Sequence, residues 1–345
     1  MGLIIAFGIW RINSSFKANN TKAPNISPTP AITSQFGMTI AKPNNDDVIN
    51  KNPSTISGIT SPQSWVVASS DIKDYVVQTD ANGNFEFEVE LTGGINQIQI
   101  TAFNENGAST TNTLRLIFST EMTSDIGKNP APSPSPESAT EESSIREKVL
   151  KKVEETLKSP KAYIGTVTDI TGGTIQIKSD SGEIKQISTN SAEVKVIKTG
   201  STNKEVKYSD IAIGDYIVAM GYKNGNSVLD GKRILITSPQ PTSAKKALYG
   251  KILSVNKKEI VLTEINSEKT TAVIIDNNTK ITKSKDGKTL TIKLTDLEEN
   301  DIIIMAGSTQ EEKLLARRVH LVKQVAASPE PSMTPTTKPT ASPKE

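Results

Sequence analysis

The sequence predicts an all-β chain of several domains: a β-sandwich, a short amphipathic helix, then two small closed β-barrels in tandem, joined by Pro/Ser/Thr-rich linkers. Three observations predict it. Apolar residues between positions 38 and 120 recur with period two, as on half-buried strands. The stretch from 160 to 325 repeats itself at an offset of about 85 residues, too long for a solenoid unit and the size of a small domain. Three segments rich in proline, serine and threonine separate these regions.

The chain opens on "MGLIIAFGIWRINSSFKANN", and residues 1–18 are expected to be a partial signal-anchor whose upstream half is missing. Gly2 to Trp10 are apolar, but a helix needs about 20 residues to cross a hydrocarbon core. No basic n-region precedes them and no small-residue cleavage site follows. Arg11 and Lys17 lie on the far side, which opposes export unless upstream charges outweigh them. Residues 19–37 form a first polar, Pro-bearing linker.

From 38 to 120 the alternation is plain. Phe85, Phe87, Val89 and Leu91 point one way, while Glu86, Glu88 and Glu90 point the other. Ile98, Ile100 and Ala102 repeat the pattern, as do Leu114, Leu116 and Phe118. Turn chemistry at 60–62, 81–84, 92–96 and 104–107 divides the runs, the spacing of a sandwich. One turn, "TDANGNF", invites a second reading, because Asp80, Asn82 and Asn84 alternate as oxygen ligands do in a calcium loop. A calcium loop of the EF type needs glycine at its sixth position and glutamate at its twelfth, which are here Phe85 and Leu91. The Asn82-Gly83 pair between two alternating runs favours a hairpin turn instead.

The order of motifs over about residues 38–120 resembles the bacterial immunoglobulin-like domain of secreted carbohydrate-active enzymes and surface proteins. The matching features are "G-I-T-S-P", "T-D-A-N-G-N-F", "L-T-G-G-I-N-Q-I" and "A-F-N-E-N-G". That resemblance implies an Ig-like β-sandwich acting as a spacer or accessory binding module. It implies no catalysis.

Residues 121–142, with "APSPSPES", form a second linker whose alternating prolines favour an extended chain. The period then changes. Over 143–159, Ile145, Val149, Val153 and Leu157 make an i, i+4 stripe, Ser144 and Glu147 fit a capping box, and Pro160 ends the helix. Its polar face mixes charges and lacks an aromatic anchor, so packing against the next domain is expected over membrane binding.

The repeat covers residues 160–240 and 245–325. "YIGTVTDITGGTIQI" aligns with "LYGKILSVNKKEIVL", pairing Gly165 with Gly250. "YSDIAIGDYIVAMG" aligns with "LTDLEENDIIIMAG", pairing Asp215 with Asp301 and Gly221 with Gly307. Each copy reads as five or six strands rich in Ile, Val and Thr, which avoid open edges best as a small OB-like closed barrel. The copies resemble a bacterial domain family of unknown function, through the "G-x-V/I" first strand, the "D-L-x-x-G-D-x-V/I" turn and a late "A-x-R-I". The second copy has Asn300 where the first has Gly214, a replacement that tolerates left-handed backbone angles. Residues 326–345 are too poor in apolar side chains to fold and form a tail.

Composition excludes several chemistries. The chain has 40 basic and 38 acidic side chains, no cysteine and one histidine, so disulfides, thiolates and Cys-based zinc sites are absent. Basic and acidic counts are 8 and 11 over 1–130, 11 and 8 over 161–245, and 14 and 11 over 246–325, none of them a polyanion-binding stripe. Asp215 and Asp301 each precede an apolar strand, where a short acceptor fixes the turn. His320 alternates with Val319 and Leu321 and is expected to face outward or lie at a rim. The reading is a non-catalytic, exported, membrane-tethered protein with no cofactor, whose partners would be cell-envelope polysaccharide or surface proteins. The alternative is a nucleic-acid-binding pair of barrels, which the repeats oppose by holding no Phe or Trp for stacking. Two of their five tyrosines sit beside the signature glycines, as core residues would. A carbohydrate-binding sandwich is a third option, with Trp65 and Tyr75 as its aromatic candidates.

Overall fold

The structure, a computed structural model, describes residues 36–123, 159–189, 194–224, 226–240, 244–310 and 313–325. The chain divides into compact units at 1–35 and 36–345, and the first lies outside the described residues. The expected signal-anchor and tail lie outside them too, as do the expected helix up to residue 158 and nearly all of the first two linkers. Regular structure in the described part is all β, apart from short 3₁₀ turns at Thr120–Thr123, Tyr208–Asp210 and Leu294–Asp296. No helix among the described residues is long and apolar enough to cross a membrane.

Eight strands come first: β1 (Thr39–Lys42), β2 (Asp47–Ile49), β3 (Ser54–Ile59), β4 (Trp65–Ser69), β5 (Asp74–Gln78), β6 (Asn84–Val89), β7 (Gly94–Phe103) and β8 (Ser109–Phe118). They form a three-stranded sheet, β1-β3-β6, and a run of five, β2-β8-β7-β4-β5. Ile56, Phe85, Phe87 and Val89 from the first share one core with Val66, Ala68, Ile98, Ile100, Leu114 and Leu116 from the second. The period-two pattern predicts these inward residues. It does not predict the other face: β4 is buried along its whole length, because the five-stranded run is covered on both sides.

The Asn82-Gly83 turn corrects an expectation. β5 pairs with β4 and β6 pairs with β3, so the turn joins two different sheets and closes no hairpin. It is a corner. Gly83 sits at φ +82, and a Cβ there would lie 2.0 Å from the carbonyl oxygen of Thr60, so only glycine fits.

The first repeat holds β9 (Lys161–Thr171), β10 (Thr174–Lys178), β11 (Ile184–Ser188), β12 (Lys195–Lys198), β13 (Lys204–Val206), β14 (Tyr216–Lys223) and β15 (Leu229–Thr237). Five of them close a ring. β9 pairs with β10, β10 with β11, β11 in parallel with β15, β15 with β14, and β14 with β9. The β12–β13 hairpin lies along β15. The second repeat follows the same plan with β16 (Lys245–Asn256), β17 (Glu259–Glu264), β18 (Thr270–Ile274), β19 (Lys280–Lys285), β20 (Lys288–Thr291), β21 (Ile302–Gln310) and β22 (Lys313–Lys323). Its ring runs β16-β17-β18-β22-β21 and back to β16, with β19–β20 along β22. Each ring is filled by its own apolar cluster, around Ile175, Ile177 and Ile217 in one and Ile260, Leu262 and Ile303 in the other.

Candidate functional site

The geometry that organises the molecule is where the barrels meet the five-stranded run. The first barrel presents Ala162 and Ile164 from β9 with Val218 and Met220 from β14, and these pack on Val48, Ile117 and Met122. The second presents Ala247 and Tyr249 from β16 with Ile304 and Ala306 from β21, and these pack on Trp65, Val67 and Phe103. Under the repeat alignment the two sets are the same four positions. Two copies of one face therefore clasp one sheet, side by side.

Polar groups fix the register of each contact. Asp47 in β2 and Lys161 in β9 are Cα partners and form an ion pair, Ala162 N–H donates to the main-chain carbonyl of Asp46 at 2.9 Å, and Val48 N–H donates to the carbonyl of Pro160 at 3.1 Å. Arg115 holds Asp46 through Nε and Nη2 and reaches Asp180 of the first barrel at 2.6 Å. The Tyr216 hydroxyl joins that carboxylate at 3.1 Å, and its pKa is pushed up to about 12, chiefly by burial and then by the charge on Asp180. On the other side Arg317 grips Asp74 with two hydrogen bonds of 2.6 and 3.1 Å, and also donates to the carbonyls of Ser70 and Asp71. Arg318 donates to the Asp74 carbonyl at 2.6 Å, and Lys245 donates to the Gln97 carbonyl at 2.9 Å.

His320 is not a rim residue. It is only 1% exposed, and its ring lies 5.1 Å from that of Trp65, itself 7% exposed. It points out of the second barrel, as the alternation requires, into the five-stranded run rather than into water. Nδ1 lies 3.0 Å from the Thr282 hydroxyl and Nε2 lies 3.2 Å from that of Ser284. Thr282 also donates to Val319 O, so one neutral tautomer satisfies every group: Nδ1–H gives to Thr282 and Nε2 accepts from Ser284. Burial first, then the neighbouring Arg318, lowers the imidazole pKa to about 4. Trp65 is thus part of this contact, and Tyr75 is half-buried against Phe87 with its hydroxyl accepting from Glu90 N–H. Neither offers a free platform for a sugar.

At the corner, Asp80 Oδ1 accepts from the N–H groups of Asn82 and Asn84, both at 2.8 Å, and Oδ2 accepts from Asn84 Nδ2 at 2.9 Å. These bonds, the Asn84 side chain foremost, hold the Asp80 carboxyl below its ordinary range. Its oxygens face donors, the opposite of a cation's needs. Among the described residues no group of three His, Cys, Asp or Glu is placed to hold a metal ion.

The repeat's paired residues occupy matching places. Asp215 accepts from Ala212 N–H and Asp301 from Glu298 N–H, both at 2.9 Å, and Asp301 also accepts from Val325 N–H at 3.0 Å. A Cβ on Gly221 or Gly307 would lie 1.9 Å from a facing carbonyl oxygen, and one on Gly165 or Gly250 within 2.6 Å of another. These glycines sit where strands of the ring press together.

No protein-family model matches the chain, and no curated protein matches it. Among solved structures, Drosophila Unr CSD456 is similar at 10% identity over 76% of this chain and 97% of its own, with a TM-score of 0.17. So low a score carries no argument. The class established is an all-β protein with barrel-like and sheet elements.

Proposed function

We propose that this is a non-catalytic modular protein of the cell surface or secreted space, working in display, adhesion or envelope scaffolding. In this reading residues 38–120 are an Ig-like β-sandwich and the repeats are OB-like barrels, tethered to the membrane from the N-terminal side. The observation that supports it is the clasp. The repeated faces of both barrels are used to build one body, and the carboxylates that precede their strands are used as turn caps. Its partners would be envelope polysaccharide or other surface proteins. Protease added to intact cells should cut the chain; protection until lysis would overturn the proposal.

A second reading has one observation in its favour. The ring order, with its first strand between the second and fourth and its third parallel to its fifth, is that of an OB barrel, which binds single strands on its second and third strands. The outward residues there include Thr174, Gln176 and Gln186 in one barrel and Glu259, Val261 and Thr263 in the other. No aromatic ring stands among them, so the stacking platform of that mode is missing. Retention of a labelled oligonucleotide by the full chain on a filter at low salt would revive this reading.

A further inference from the structure

We propose that the second barrel carries a binding cleft for an amphiphilic anion, a phosphate or carboxylate on an apolar body. This goes beyond the scaffolding role and does not depend on it. The cleft, of about 900 Å³, opens between the tip of the β16–β17 turn and the base of the β19–β20 hairpin. Lys257, Lys258, Lys280 and Lys293 stand exposed around it. None of the four takes part in an ion pair among the described residues. The one carboxylate in the lining, Asp276, is engaged by its own turn, accepting from Asn278 N–H at 2.9 Å and the Thr279 hydroxyl at 3.1 Å.

The wall between the lysines is apolar, with Ile275, Ile281 and Ile292. Backbone bonds fix its shape: Ile275 N–H donates to Lys258 O at 2.8 Å and Ile292 N–H to Ile281 O at 3.0 Å. A hydrated inorganic anion gains nothing from such a wall, and a neutral apolar ligand gains nothing from four ammoniums. A molecule with both parts uses both.

The first barrel is the internal control. At the two turn positions it has Gly172 and Gly173 in place of Lys257 and Lys258. Its counterpart of Lys280 is Lys195, which lies 3.8 Å from Glu205 and 4.0 Å from Glu121. The strand register puts Thr291 where Glu205 stands, so the neutralising carboxylate is gone from the second copy. Two barrels of one plan thus differ in charge at one place.

The test is titration calorimetry of the full chain at low salt with dodecyl phosphate below its micelle concentration. One saturable site is expected, weakened at least tenfold in K257G/K258G and in T291E, which restore the residues of the first barrel. Dodecyl maltoside and inorganic phosphate should each bind at least tenfold more weakly. Retention on phosphatidylglycerol vesicles would place the ligand in a bilayer, and binding without retention would make it a free amphiphile; both support the site. Failure to bind dodecyl phosphate overturns the proposal. So does unchanged affinity in both variants when their thermal midpoints match the parent, equal binding of the maltoside or of phosphate, or displacement of dodecyl phosphate by an oligonucleotide.

Discussion

At the scale of single residues, Arg317 and His320 govern how the second barrel is held. Asp74 is only 1% exposed, and Arg317 supplies both of its charged hydrogen bonds. Removing the arginine leaves a buried carboxylate without its counter-charge, so Arg317→Ala should cost on the order of 3 kcal/mol. Asp74→Ala should cost less, because Arg317 keeps two carbonyl acceptors and reaches solvent. Urea unfolding curves measure the order. For His320 the folded pKa of about 4 lies below the ordinary 6.5, so the unfolded chain binds the proton more readily. The stabilisation is fully present above pH 6.5 and is lost as pH falls towards 4, a difference on the order of 3 kcal/mol. In His320→Gln the unfolding midpoint should change less over that window than in the parent. A parallel pair of profiles would show that the ring does not titrate there. The run "RRVHL" announces none of this. A polar residue on the outside of a barrel strand ordinarily meets water, and its real neighbour, Trp65, lies 255 positions away in sequence.

At the scale of elements, the repeat is the most legible feature, since matching letters fall at matching places in both rings. The turn before β14 has Gly214 at φ +96, and the turn before β21 has Asn300 at φ +72. Asn300→Gly should therefore leave stability nearly unchanged. Asn300→Val should lose about 1–2 kcal/mol, since a β-branched residue resists that conformation. Gly307→Ala meets a backbone carbonyl that cannot move aside cheaply, and about 3 kcal/mol is expected. Thermal midpoints of the three variants would rank them. The hairpin expected at Asn82-Gly83 shows the limit of local signals. The dipeptide specifies the turn, and the partners that β5 and β6 find elsewhere decide that it is a corner. The clasp did leave a trace: "WVVAS", "YIVAM" and "DIIIMAG" are apolar without alternation, which marks strands covered on both faces.

At the scale of the whole molecule, the described part behaves as one body because three cores are joined by two apolar contacts. Calorimetry should find the N-terminal sheets and the barrels unfolding in a single transition, and separate endotherms would show that the contacts are weaker than the cores. Trp65→Ala removes the largest side chain of the second contact. It should cost about 3–5 kcal/mol and split the second barrel's unfolding from the rest. At alkaline pH the first contact should weaken earlier. The Tyr216 phenol ionises near 10 in the unfolded chain and only near 12 when folded, so its contribution falls as pH rises through that interval.

The duplicated face is also filled differently at its two seats. Where the first barrel has Ile164 and Met220, the second has Tyr249 and Ala306, a larger side chain on one strand offset by a smaller one on the next. Bulk redistributed in this way fits the two copies to unequal seats on a shared support. Neither copy is then expendable. Deleting the first strands Ile117 and Val48 in water, and deleting the second does the same to Val67 and Phe103. A chain without one barrel would present an adhesive sheet, so each barrel also shields the molecule from aggregation.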